Sequence, residues 1–303
     1  MNDQKKIDPK TISENVDMYK VSSGNELELH SKYKHLIPAE EYFLKQVKKL
    51  DIEHSYDVTA SEKLYFKTIN YSTFAGFLMM HPLCPEQSMR QMQDAYADRL
   101  PSSGYIDYIR NKIKNDGTYT KYKFKDAKEE EYKPVIVILP GENKLYKHCC
   151  IGKLEYVLRK HGSENVLFKK HPISYDKGYE ALNERLGGIS FASAYSDMFK
   201  LIDNSEYVYT TMISESALSA YIQNKKVDHF DLFQNRHLAS FIHINYYLFS
   251  EPNPVEWADT AFSSYKSGIV NPEIDANWKD KIDQYLDYIM QLRSYYENSY
   301  ILR

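Results

Sequence analysis

The feature that most constrains this chain is the unbroken aliphatic run Val135-Ile136-Val137-Ile138-Leu139, followed at once by Pro140-Gly141. A strand with one face in water alternates apolar and polar residues. An uninterrupted branched run fits a strand covered on both faces, as in the parallel sheet of an α/β protein. The pattern then alternates. Leu154, Val157 and Leu158 have helical spacing and stop at His161-Gly162, and Asn165-Val166-Leu167-Phe168 reads as a second strand. A helix over about Asp197–Ile202, a third strand at Tyr207–Thr210, a helix over Ser216–Gln223 and a fourth strand opening at Lys226-Val227 continue the series. The expected fold class is α/β, with a doubly wound parallel sheet.

Just before the aliphatic run, residues 114–133 are dense in charge and poor in aliphatics, which marks an exposed connection. The expected organisation is an N-terminal domain over 1–130 with an irregular first thirty residues, a sheet domain over 131–250, and C-terminal helices over 251–303 that pack back across the domains. In the first part, Pro38 suits the start of a helix whose Phe43, Val47 and Leu50 share a face. Short apolar runs between Tyr56 and Met80 read as strand and loop. Ser88–Leu100 and Tyr105–Ile113 read as helices. Near the end, Pro272-Glu273 is expected to start a long helix carrying Trp278, Ile282, Tyr285, Leu286 and Ile289 on one side.

Charge and cysteines narrow the function classes. Lys+Arg 39 against Asp+Glu 42 leaves a net charge of −3, so no overall basic field favours nucleic acid. Phe74–Met80 is the longest uncharged apolar run and is too short to span a bilayer, and the first ten residues carry no signal-peptide core. Cys84, Cys149 and Cys150 form neither a CxxC motif nor an even-numbered framework, which suits a reducing compartment. A soluble cytoplasmic protein is expected, without an integral membrane segment.

Ligands of an open α/β sheet bind outside the carboxyl ends of its strands, so the loops there hold the candidate site. After the first strand, Gly141 in Pro140-Gly141-Glu142-Asn143-Lys144 permits close backbone approach to a phosphate, or simply makes a turn. The loop is neither GxGxxG nor a Walker loop. After the second strand, Lys169-Lys170-His171-Pro172 places Lys170 and His171 where a phosphate could be met. After the third, Ser214 and Ser216 stand at a helix start, where hydroxyls cap the helix or bind an anion. His229, His237 and His243 have mixed spacing and do not form a metal site, and no paired carboxylates mark one elsewhere. Tyr246-Tyr247 and Tyr295-Tyr296 read as packing residues.

The order of these pieces resembles the nucleotide-binding half of GT-B glycosyltransferases, especially the bacterial sialyltransferase and capsule Kdo-transferase group. The matching segments are Phe168-Lys169-Lys170-His171-Pro172, the strand within Asn204–Thr211, and Ser214-Glu215-Ser216-Ala217-Leu218, and the likeness covers about residues 134–235. It implies a GT-B-like fold with a smaller mixed N-terminal acceptor domain, and donor-phosphate contacts from His171, Ser214 and Ser216. Asn224-Lys225-Lys226-Val227 departs from the group's Gly-Lys-Pro-Val, and the N-terminal part is shorter than a usual acceptor domain.

An enzyme of this kind also needs positive charge for the leaving group and a base for the acceptor hydroxyl. Lys170 and His171 suit the first role. For the base, Asp57 is the first candidate, with Asp94 and Asp98 behind it. The expected activity is metal-independent transfer from a nucleotide-sugar, which is a substrate, with no further cofactor. The acceptor is a saccharide or a hydroxymethylated base in phage DNA. For DNA the clustered cations are Arg110, Lys112, Lys114, Lys121, Lys123 and Lys125, which read otherwise as a solvated helix end and linker. The contrasting reading is a non-catalytic nucleotide-binding or interaction protein on a degenerate GT-B scaffold.

Overall fold

The computed structural model describes residues 18–22, 26–30, 36–50, 53–56, 65–71, 76–80, 85–116, 131–141, 145, 149–171, 177–193, 196–231 and 242–301. They form two compact units. One draws on 18–117 together with 236–303, and the other on 118–235.

The first unit begins with an antiparallel hairpin of β1 (Met18–Ser22) and β2 (Glu26–His30). Helix α1 (Ile37–Lys49) follows, with proline in its first turn, where a missing N–H costs no hydrogen bond. Then come β3 (Glu53–Tyr56), β4 (Tyr65–Tyr71), β5 (Gly76–Met80), α2 (Pro85–Ala97) and α3 (Tyr105–Asp116). Strand β3 runs parallel to β4, and β4 runs antiparallel to β5.

The chain next builds the second unit. Its elements are β6 (Val135–Ile138), α4 (Ile151–His161), β7 (Val166–Lys169), α5 (Lys177–Arg185), β8 (Ser190–Ala192), α6 (Met198–Asp203), β9 (Tyr207–Thr210), α7 (Glu215–Ile222) and β10 (Lys226–His229). The five strands form one parallel sheet in the order β10-β9-β6-β7-β8. The central strand explains why. Val135, Val137 and Leu139 enter a core with Leu154 and Val157 of α4 and Tyr179 and Leu182 of α5. Ile136 and Ile138 enter a second core with Leu201 and Ile202 of α6 and Ala220 of α7. The strand period of two therefore divides one aliphatic run between two helical layers. The helix ends carry local signals: Asp197 accepts from the Phe199 and Lys200 amides to cap α6, and Gly162, at φ 81°, follows the last turn of α4.

After β10 the chain returns to the first unit with α8 (Ile242–Ser250), α9 (Pro254–Ser263), β11 (Ile269–Val270) and α10 (Trp278–Ile301). Strand β11 pairs antiparallel with β5, giving a four-stranded sheet in the order β11-β5-β4-β3. Ala39, Phe43 and Val47 of α1 pack with Ile282, Tyr285, Leu286 and Ile289 of α10.

Two expectations are corrected. The last helix starts at Trp278 rather than Pro272, because Asn271 and Asp275 fold the intervening residues into a turn. The Asn271 side chain accepts from the Glu273 amide at 2.9 Å, and the Asp275 carboxylate accepts from the Asn271 amide at 2.8 Å. The sheet unit also contains α5 and the three-residue edge strand β8, so the alternation between the second and third expected strands is longer than the sequence pattern announces.

That Asp275 carboxylate is the centre of a buried polar network. It accepts from the Tyr105 hydroxyl and, at 2.9 Å, from the Lys281 ammonium, which also donates to the Phe262 carbonyl at 3.0 Å. Burial pushes the Tyr105 hydroxyl well above its usual range, with the Asp275 charge adding to the shift. Burial lowers Lys281, and Asp275 opposes that shift. Removing one partner strands the other's charge. Asp275→Ala should therefore lower the unfolding free energy of this unit by about 3 kcal/mol, and adding Lys281→Met should recover most of the loss, both read by urea denaturation.

Candidate functional site

In an open parallel sheet the strand order marks the edge at which a ligand would bind. From β6 the sheet grows through β7 to β8 on one side and through β9 to β10 on the other. This is the 3-2-1-4-5 order, in which the loops after the first and fourth strands part and leave a crevice at the carboxyl edge. Here those loops follow β6 and β9, with the β7 loop beside the first and the β10 end beside the second.

After β6, Pro140 is buried and Gly141 half-buried, and the Gly141 carbonyl accepts from the Leu145 amide at 3.0 Å. After β7, Lys169 and Lys170 point to opposite faces by strand alternation. Lys170 lies over the Phe191 ring at 4.6 Å and the Tyr179 ring at 5.7 Å. Lys169 is the buried lysine of the pair, and its ammonium donates to the Lys170 carbonyl at 3.2 Å. Alternation sets Lys169 on the side of Leu167, the side on which α7 packs.

Tyr179 joins these two loops. Its hydroxyl donates to the Pro140 carbonyl at 2.9 Å and accepts from the His171 amide at 3.2 Å. The ring is fully buried, so one side chain from α5 sets the spacing between Pro140-Gly141 and Lys170-His171.

After β9, a chain of hydroxyls leads into α7. Thr210 Oγ1 lies 3.0 Å from Ser216 Oγ, which lies 2.5 Å from Ser214 Oγ, and Ser214 caps the helix by accepting from the Ser216 amide at 3.2 Å. Ser214 and Ser216 are thus brought together at a helix N-terminus on the carboxyl edge, where partial positive charge favours an anion. The turn before it, Thr211–Ser214, closes through the Ser214 amide and the Thr211 carbonyl at 3.0 Å.

At the end of β10, Asp231 accepts from the Met212 amide at 3.0 Å through Oδ2 and is 6 % exposed. Burial raises its carboxyl above the ordinary carboxylate range, opposed by that amide and by Lys153. His229 is buried as well, and burial, aided by the Lys153 charge, lowers it to about 4.

The remaining candidates divide. Asp57 lies outside the described residues, as do Lys121, Lys123, Lys125 and His237. Asp94 pairs with Arg90 at 2.7 Å and accepts from the Tyr288 hydroxyl at 3.0 Å. Asp98 holds Lys266 at 2.5 Å and the Ser264 hydroxyl at 2.6 Å. Both carboxylates therefore tie helices together in the first unit. Arg110 faces Asp107 at 4.0 Å, and Lys112 faces Glu273 at 3.7 Å. Tyr247 stacks on Trp257 at 5.3 Å, a packing contact. Among the described residues no group of three or more His, Cys, Asp or Glu side chains is placed to hold a metal ion. No helix of the described residues is long and apolar enough to cross a membrane.

Tyr179 and Asp231 are the contributors that sequence reasoning misses. Tyr179 belongs to the unannounced helix, and a lone Asp after a short strand has no motif to mark it. No family model matches this chain, and no match is found among curated proteins or solved structures.

The pH dependence of this region follows from His229. Its pKa is near 6.5 in the unfolded chain and about 4 in the folded one, so its contribution to stability is complete above 6.5. As pH falls from 6.5 towards 4, only the unfolded chain takes up the proton, and stability is lost. His229→Gln should flatten that acid-side decline, measured as unfolding free energy against pH.

Proposed function

We propose that this chain is a GT-B-type glycosyltransferase that moves a sugar from a nucleotide-activated donor to a polymeric acceptor, without a metal ion or further cofactor. The observation that carries the reading is the Ser214–Ser216 hydroxyl pair at the start of α7, at the carboxyl edge of a five-stranded parallel sheet. A helix start with two hydroxyls suits a donor phosphate. His171 and Lys170, across β6 from it, supply cationic or hydrogen-bonding groups for the leaving nucleotide, and Gly141 lies in the loop between them. The acceptor is a saccharide or a hydroxymethylated DNA base, and Asp57 is the proposed base.

Thermal melting with UDP, GDP, CMP, ADP and their sugar conjugates tests the donor site, because a ligand that binds only the folded state raises the melting temperature. One nucleotide class should shift the wild-type chain by several degrees, and His171→Ala should abolish most of the shift. No shift with any of these ligands would remove the reading's support. Release of that nucleotide from its sugar conjugate, measured with a capsular-type glycan and with hydroxymethylated DNA in turn, then separates transfer from mere binding and names the acceptor.

A further inference from the structure

The segment that ends β10 is held from two directions. The Phe230 amide donates to the Thr210 carbonyl of β9 at 3.1 Å, and the Phe230 carbonyl accepts from the Cys150 amide at the start of α4 at 3.0 Å. Cys149 and Asp231 form an antiparallel bridge, and the Lys153 ammonium donates to the His229 carbonyl at 2.9 Å. Asp231 therefore projects from a fixed backbone. Its Oδ2 meets the Met212 amide, inside the turn that ends at Ser214.

The energetics of this carboxylate are unusual. Asp231 Oδ1 and Thr211 Oγ1, on residues 6 % and 1 % exposed, are both buried and meet no hydrogen-bond partner among the described residues. A buried acceptor left unpaired costs stability, and most folded proteins avoid it. An arrangement that costs stability and also sets the shape of a turn at a ligand-binding edge is expected where function overrides local stability.

We propose that Asp231 is a positioning residue for the anion-binding turn, its carboxylate fixing the Met212 amide so that residues 211–214 present the half-buried Ser214 hydroxyl, backed by the buried Ser216, to the donor phosphate. The inference rests on the nucleotide-sugar reading above. Asp231 touches no substrate in this scheme. It acts through the backbone of the turn, and what it requires at position 231 is one acceptor oxygen rather than a negative charge.

Two variants separate these roles. Asp231→Ala removes the acceptor, whereas Asp231→Asn keeps an oxygen for the Met212 amide and discards the charge. Affinity for the nucleotide that stabilises the wild-type chain, and for inorganic pyrophosphate as a competitor, is measured by titration calorimetry alongside each melting temperature. The expected result is about tenfold weaker binding of both probes to D231A, and affinity within about twofold of wild type for D231N. Wild-type affinity in D231A overturns the inference, as does equal weakening in both variants, which would make the charge the operative property. Loss of cooperative melting in D231A overturns it too, because Asp231 would then be needed for the fold itself. In each of these cases nucleotide binding by the wild-type chain still stands. If the wild-type chain binds none of the nucleotides, the donor-site reading fails and takes the positioning role with it.

Discussion

Everything in the sheet unit depends on β6 being apolar on both faces. Because Val135 and Val137 face one helical layer while Ile136 and Ile138 face the other, the strand has no solvent side and must sit at the centre. Its neighbours then follow from chain order, with β7 on one side and β9 on the other. The strand order 3-2-1-4-5 is a result of that division. The loops after β6 and β9 part because the strands that extend the sheet leave in opposite directions, and the candidate anion site lies where they part.

Within the site, different groups do different work. Tyr179 uses one hydroxyl to hold two loops, as donor to Pro140 and acceptor from His171. The Thr210–Ser216–Ser214 chain orients hydroxyls at the helix start, while Asp231 shapes the turn before it from the next strand. Burial governs the protonation of the groups around it: it lowers His229, raises Asp231 and pushes Cys149 up to about 12. Cys149 is therefore a protonated thiol at neutral pH, despite its place one residue before the cap of α4.

The sequence makes some of this legible, for physical reasons. Continuous aliphatic runs mark β6 and β7, and capping hydroxyls or carboxylates mark α6 and α7, because these depend on local composition. Strand β8 escapes notice because it is short and lies at the sheet edge, with Ser190 exposed and only Ala192 buried. The start of α10 is misjudged because Asn271 and Asp275 form side-chain bonds to backbone that compete with the helix, and proline signals alone do not reveal them. Tyr179 and Asp231 stay hidden because their importance lies in what they bond across long stretches of chain. The candidate base Asp57 lies outside the described residues.

The Tyr105–Asp275–Lys281 network also bears on how the chain is made. Residue 105 belongs to the segment before the sheet unit, and residues 275 and 281 to the segment after it, with all of 118–235 between them in sequence. During synthesis from the N-terminus, Tyr105 emerges long before its partner. The sheet unit, whose contacts lie within its own stretch, is complete first, while the surrounding unit must wait for the last helix. Until then α1 has no α10 to cover Phe43 and Val47, so the half-made chain displays an apolar helix face for the whole time the guest domain is translated.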